Sequence, residues 1–103
     1  MFRGILSTIY VDLEKNISKT KVLKTLKYFY KNESFVKILK SDSFLSTNEV
    51  INTNNCYISV CKSKYKNKII ILSALDNLIK GGAGQAVQNL NNKFNFSETT
   101  GLK

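Results

Sequence analysis

The chain has no histidine, no proline and no tryptophan, and Arg3 is its single arginine in 103 residues. Without histidine, neither a Cys/His zinc site nor a Cys–His nucleophile pair can be assembled from this polypeptide alone. Cysteine is scarce as well. Cys56 and Cys61 lie five apart in one alternating segment, which sets them on opposite faces of a strand. They cannot bridge there without breaking it. Unpaired thiols fit a reducing cytoplasm, and Cys56 reads as a small core hydrophobe. No apolar run approaches the roughly 20 residues of a membrane span. The longest, residues 69–72, is strand-sized. The opening MFRGILSTIYVDL has no long apolar core and no small-residue cleavage site, so no signal peptide is read there.

What is abundant is lysine. The net charge is +9, and eight lysines fall in residues 14–40 against only Glu14 and Glu33. A basic stripe can bind nucleic acid by releasing counterions. Such readers also use arginine, which grips phosphate bidentately. Twelve asparagines and ten isoleucines accompany the lysines, the composition of an AT-rich coding sequence. The charge therefore reads as a solvated surface, with no nucleic acid and no membrane expected as partners. The length suits one small domain.

Residues 5–13 alternate as a strand rich in β-branched side chains. Asn16 and Ser18 offer N-caps for a helix over residues 19–30. Its apolar stripe is Val22, Leu26, Phe29 and Tyr30, with Leu23 beside them. Residues 35–39 form a short strand. Residues 40–55 read as a loop anchored by Phe44, Leu45, Val50 and Ile51. Two strands, 56–62 and 68–74, are joined by a turn at 63–67. The second is apolar on both faces, which suggests a central, covered strand. A last helix spans residues 80–92, with Ala83, Ala86, Val87 and Leu90 at helical spacing. The polar tail, 95–103, is expected to be partly ordered at best. The order β-α-β-β-β-α implies one α+β domain: a mixed, largely antiparallel sheet with helices packed on one face.

The most informative stretch is DNLIKGGAGQAVQNLN, residues 76–91. Gly81, Gly82 and Gly84 each cost a helix about 1 kcal/mol relative to alanine, so something should offset them. Two readings stay open: a ligand-facing helix start whose free N–H groups suit an anion or amide oxygen, or tight helix packing. The pattern is neither the dinucleotide fingerprint nor a Walker loop.

The whole segment resembles the C-terminal signature of N-acetyl-gamma-glutamyl-phosphate reductases, close to DNLVKGAAGQAVQN. RGILSTIYVDL, FYKNESFVKIL, TNNCYISV and ETTGL resemble further family segments in the family's order. Two positions depart from it. Gly82 stands where the family usually has alanine, and Tyr57 where an acidic residue is common. The resemblance implies the C-terminal catalytic and dimerisation portion, residues 1–103, of an NADP-dependent reductase of arginine biosynthesis. The fold would resemble the C-terminal domain of glyceraldehyde-3-phosphate dehydrogenase-like reductases. The family's Rossmann domain, nucleophilic cysteine and catalytic histidine lie upstream of the matched part, and Met1 matches an internal methionine. The chain is therefore expected to be inactive alone, cytoplasmic and homo-oligomeric, with no catalytic residue and no metal. Asn77, Gly81 and Gln85 are the residues implied for the cofactor, and Arg3 and Lys80 for the substrate. Arg3 could grip a carboxylate or phosphate, or fray at the chain start. Lys80 could pair with a phosphate or be a surface lysine. The rival reading is a free-standing dimerisation or binding module.

Overall fold

The computed structural model describes residues 2–103. Strand β1, Ile5–Asp12, leads through a turn to helix α1, Lys19–Phe29, and then to β2, Val36–Ile38. A 3-10 turn, Thr47–Glu49, interrupts the loop before β3, Cys56–Lys62, and β4, Lys68–Leu75. A π-helical turn, Ile79–Ala83, opens helix α2, Gly84–Lys93.

The four strands lie in the order β1-β4-β3-β2. β4 is antiparallel to both β1 and β3, while β2 runs parallel to β3. The sheet is thus mixed and largely antiparallel, and the apolar β4 is an inner strand, as its sequence suggests. Register sorts the side chains. Ile9, Ile71 and Val60 share one face; Thr8, Leu72 and Ser59 share the other. Cys56 falls on the first and Cys61 on the second, and both are free.

Each face is covered by a different element. Helix α1 lies against β2 and β3. Ile17 and Lys19 share a cleft with Lys62 and Ile69, which sets the helix start on the Val60 face. Ser18, not Asn16, caps α1 by accepting the Lys21 amide at 3.1 Å. Asn16 instead takes the left-handed conformation that turns the chain, which asparagine tolerates. The opposite face packs under the loop. Leu45, Val50 and Ala74 form its buried centre, with Leu39, Tyr57 and Leu72 against them. Of the four expected loop anchors, Leu45 and Val50 are buried and Ile51 is half-buried, but Phe44 is almost fully exposed.

At the C-terminal end one expectation is overturned, and an apolar strip lies bare. The residues read as the apolar stripe of α2 face outward: Ala83, Ala86, Val87 and Leu90 are exposed. Its buried residues are Gly84, Gln88 and Asn91. The spacing identified an apolar face correctly, and nothing among the described residues covers it. The tail is also pinned rather than loose. Asn91 Nδ2 donates to the carbonyls of Glu98 and Thr100, at 3.1 and 2.9 Å. The Lys103 carbonyl accepts from the Asn54 amide at 2.6 Å.

Candidate functional site

The end of β4 delivers Asp76 into a fully buried position, where a carboxylate survives only if its oxygens are bonded. They are. Arg3 holds it with Nε and Nη2, at 3.0 and 2.8 Å. The amides of Asn52, Leu78 and Ile79 donate to it at 2.8, 2.9 and 3.3 Å. Burial pushes the Asp76 carboxyl up, but Arg3 and the three amides outweigh burial and hold it below the usual carboxylate range. Asp76 thereby ties the chain start, the loop before β3 and the start of the last helix to one point.

That arrangement decides what the glycine-rich turn can do. The Gly81 amide bonds the Asp76 carbonyl at 2.9 Å, and the Ala83 amide bonds Leu78 at 3.0 Å. These five-residue spacings make a π-turn, a form that often accompanies functional sites. Leu78 and Ile79, the first two amides, already bond the Asp76 carboxylate. The reading of this helix start as an open anion site is therefore corrected: a carboxylate of the chain itself occupies it.

The two readings of the glycines also separate. Gly84 is buried, and a Cβ there would overlap Asn54 Oδ1 and come within 2.6 Å of Ile79 Cγ2 and 2.8 Å of the Ile79 carbonyl. It permits close packing. Gly81 and Gly82 are exposed, leaving their backbone open to a neighbour.

The remaining candidates fall into two groups. Asn77 accepts the Gly4 amide on Oδ1 at 2.8 Å, so what it can offer a ligand is its NH2 group. Gln85 donates to Asn89 at 2.9 Å on the outer side of α2. Lys80 is half-buried and no free surface lysine. Its ammonium donates to Gln88 Oε1 at 2.7 Å and lies 5.6 Å from the centre of the Phe35 ring. Burial pushes the Lys80 amine down, while Cys56, Glu98 and Glu33 nearby act against that shift. Gln88 Oε1 also accepts Asn54 Nδ2 at 2.8 Å, and Gln88 Nε2 donates to Glu98 at 2.7 Å. Arg3 is not frayed, since Asp76 takes up two of its nitrogens. The structure thus gathers Arg3 and Asn77 around Asp76, and Lys80 around Gln88. Gln85 stands apart from both groups. Asp76 and Gln88, the centres of the two groups, are not among the candidate site residues read from the sequence. The signal for Asp76 was an acid directly before a helix, together with the chain's lone arginine.

A protein-family model described as semialdehyde dehydrogenase, dimerisation domain, matches residues 1–77. The chain belongs to that family. It is 45% identical over 103 residues to an N-acetyl-gamma-glutamyl-phosphate reductase of Halothermothrix orenii, covering 100% of this chain and 30% of the relative. The same-named protein of Thermoanaerobacter pseudethanolicus is 46% identical over 102 residues, covering 99% and 30%. That of Ehrlichia chaffeensis is 44% identical over 100 residues, covering 97% and 29%. The chain, which corresponds to the C-terminal portion, spans about 30% of the length of these relatives. The family match ends at residue 77, at Asp76–Asn77, so the glycine turn and α2 lie beyond the dimerisation domain and within the reductase similarity.

Chemically, this portion can position and orient. Cys56 is half-buried against Ser73, 3.4 Å from its hydroxyl, with no imidazole available to activate it. Among the described residues no helix is long and apolar enough to cross a membrane.

Proposed function

We propose that the chain is the C-terminal portion of an N-acetyl-gamma-glutamyl-phosphate reductase of arginine biosynthesis, working in the cytoplasm as a homo-oligomer. It contributes association and part of the rim of the site. The supporting observation is the Asp76 junction. It fixes the DNLIKGGAGQ turn with its glycine backbone and the Asn77 amide outward, in a segment shared with reductases along the whole chain.

The reaction reduces an acyl phosphate to an aldehyde, releasing phosphate, and the bound dinucleotide NADP(H) supplies the hydride. The residues present fit the edge of such a cofactor and not its cradle. Asn77 keeps an NH2 donor for a carboxamide oxygen, and exposed Gly81 admits close approach. Gln85, with both donor and acceptor groups, lies further along α2. Lys80, held by Gln88, is suited to a phosphate at the same rim. Arg3 acts on substrate through Asp76, by fixing the turn, more than by direct grip. The thiolate and base that the reaction requires come from outside this chain.

The isolated chain is therefore expected to show no turnover. Purified protein, NADPH and the acyl phosphate, followed at the nicotinamide absorbance, should give the blank rate; measurable turnover would sink this reading. Mixing the chain with a reductase truncated just before the matching segment should restore activity. If it does not, the chain is a free-standing dimerisation or binding module, the reading favoured by its lack of histidine.

A further inference from the structure

Of the chain's fifteen lysines, thirteen are exposed and two, Lys19 and Lys80, are half-buried. The two amines are held differently. Lys19 pairs with the Asp42 carboxylate, which keeps a proton on it. Lys80 is in none of the ion pairs among the described residues. Its partner is a neutral oxygen, Gln88 Oε1, at 2.7 Å. Water keeps an exposed amine charged, and an anion keeps a paired one charged. Lys80 has neither in full, and a lysine drawn out of water is the one that turns nucleophile.

The setting is fixed by separate parts of this chain. Gln88 is buried on the inner side of α2. Its Oε1 also accepts Asn54 Nδ2, and its Nε2 donates to Glu98, so the amide cannot turn away. Phe35, buried just before β2, has its ring centre 5.6 Å from the amine. The titratable groups facing Lys80 are Glu33 after α1, Cys56 at the start of β3 and Glu98 in the tail. Burial outweighs all three and pushes the amine down, because the charged form is the one that loses by leaving water. The next two residues, Gly81 and Gly82, are exposed and put only backbone beside it.

We propose that Lys80 is a modification site, the amine of this chain that acyl phosphates acylate first. The choice of acyl donor rests on the proposed function, whose substrate is an acyl phosphate. The neutral amine attacks the acyl carbon. A carbon–nitrogen bond forms, the carbon–oxygen bond to phosphate breaks, and the proton released by nitrogen leaves on the phosphate. No oxidant or reductant takes part. The product amide carries no charge, so the Gln88 group loses its cation.

Acetyl phosphate is the probe. The purified chain is incubated with it near neutral pH, and acetylation at each lysine is read by peptide mass spectrometry. The thirteen exposed lysines serve as internal references. Lys80 should react about threefold or more faster than their mean, since the neutral fraction of an amine rises about tenfold for each unit its pKa falls. The lead should vanish in urea, where the fold is lost. It should also shrink as pH rises to about 10, where ordinary lysines become neutral too. Lys80 reacting no faster than the exposed lysines overturns the proposal. So does a lead that persists in urea, which comes from local sequence, or one undiminished at high pH, which comes from access alone. The measurement needs neither NADPH nor turnover. Failure of the reductase assays to behave as expected therefore sinks the proposed function without touching this result.

Discussion

The guanidinium of Arg3 holds both carboxylate oxygens of Asp76, at 3.0 and 2.8 Å, although 73 positions separate the two residues in the chain. Asp76 is fully buried and Arg3 only partly so. Removing Arg3 leaves a buried carboxylate supported by three amides alone. Arg3→Ala should lower stability by about 2 kcal/mol, below the usual range for breaking a buried pair because Arg3 touches solvent. Urea unfolding checks this. Arg3→Lys should restore part of the loss, since one ammonium cannot reproduce the bidentate grip.

The same pair sets an acid limit. The folded Asp76 carboxyl lies below its usual range, so on lowering pH the unfolded chain takes up a proton first. The stabilisation is complete above the unfolded value of about 3.9 and is lost as pH falls through the folded one. Asp42 acts in the same direction, lowered to about 2 by Lys19, the Lys62 amide and Ser41. Thermal melting temperature should therefore fall steeply below about pH 4. Arg3→Ala should flatten that fall, and an unchanged slope would show that Asp76 is not responsible.

Gly84→Ala should destabilise despite alanine's better helix propensity. The propensity gain is about 1 kcal/mol, but the methyl would overlap Asn54 Oδ1 and press on Ile79. Overpacking of this kind costs about 1–3 kcal/mol, and Asn54 cannot retreat without releasing Gln88. Gly81→Ala is the control: its nearest neighbour is the flexible Leu75 Cδ1 at 3.2 Å, and its melting temperature should hardly move.

Gln88→Leu should lower stability by about 1–3 kcal/mol, because it leaves Asn54 Nδ2 buried without an acceptor. It also frees the Lys80 ammonium. Acylation of Lys80 by an amine-selective reagent, read by mass spectrometry, should become faster than in the unaltered chain. Equal rates would mean that Gln88 does not restrain Lys80.

The strands were legible because alternation is written locally. The strand read over residues 5–13 is β1, Ile5–Asp12, and the end of β4 differs from its expected end by one residue. Ser18 could be read as a cap for the same reason. The C-terminal end was harder. Periodicity located the apolar strip at Val87 and Leu90, but it cannot say whether the covering surface belongs to the same chain. Polarity made the tail look loose, since the match of Asn91 Nδ2 to two tail carbonyls depends on three-dimensional placement. Asp76 was visible as an acid before a helix. Its pairing with Arg3 spans 73 positions of the chain and leaves no local mark. Asn77 and Gly81 were found through resemblance, not from spacing.

Helix α2 is anchored by its amides and glycine, leaving its oily side free. Its construction and its later encounters are consequently written on different residues. Substitutions at Gln88, Asn91 or Gly84 act on whether the helix is built at all. Changes at Val87 or Leu90 leave the built helix intact and alter only what it can meet. A lineage could therefore rewrite the outer side to suit a changed neighbour while inheriting the inner side unaltered.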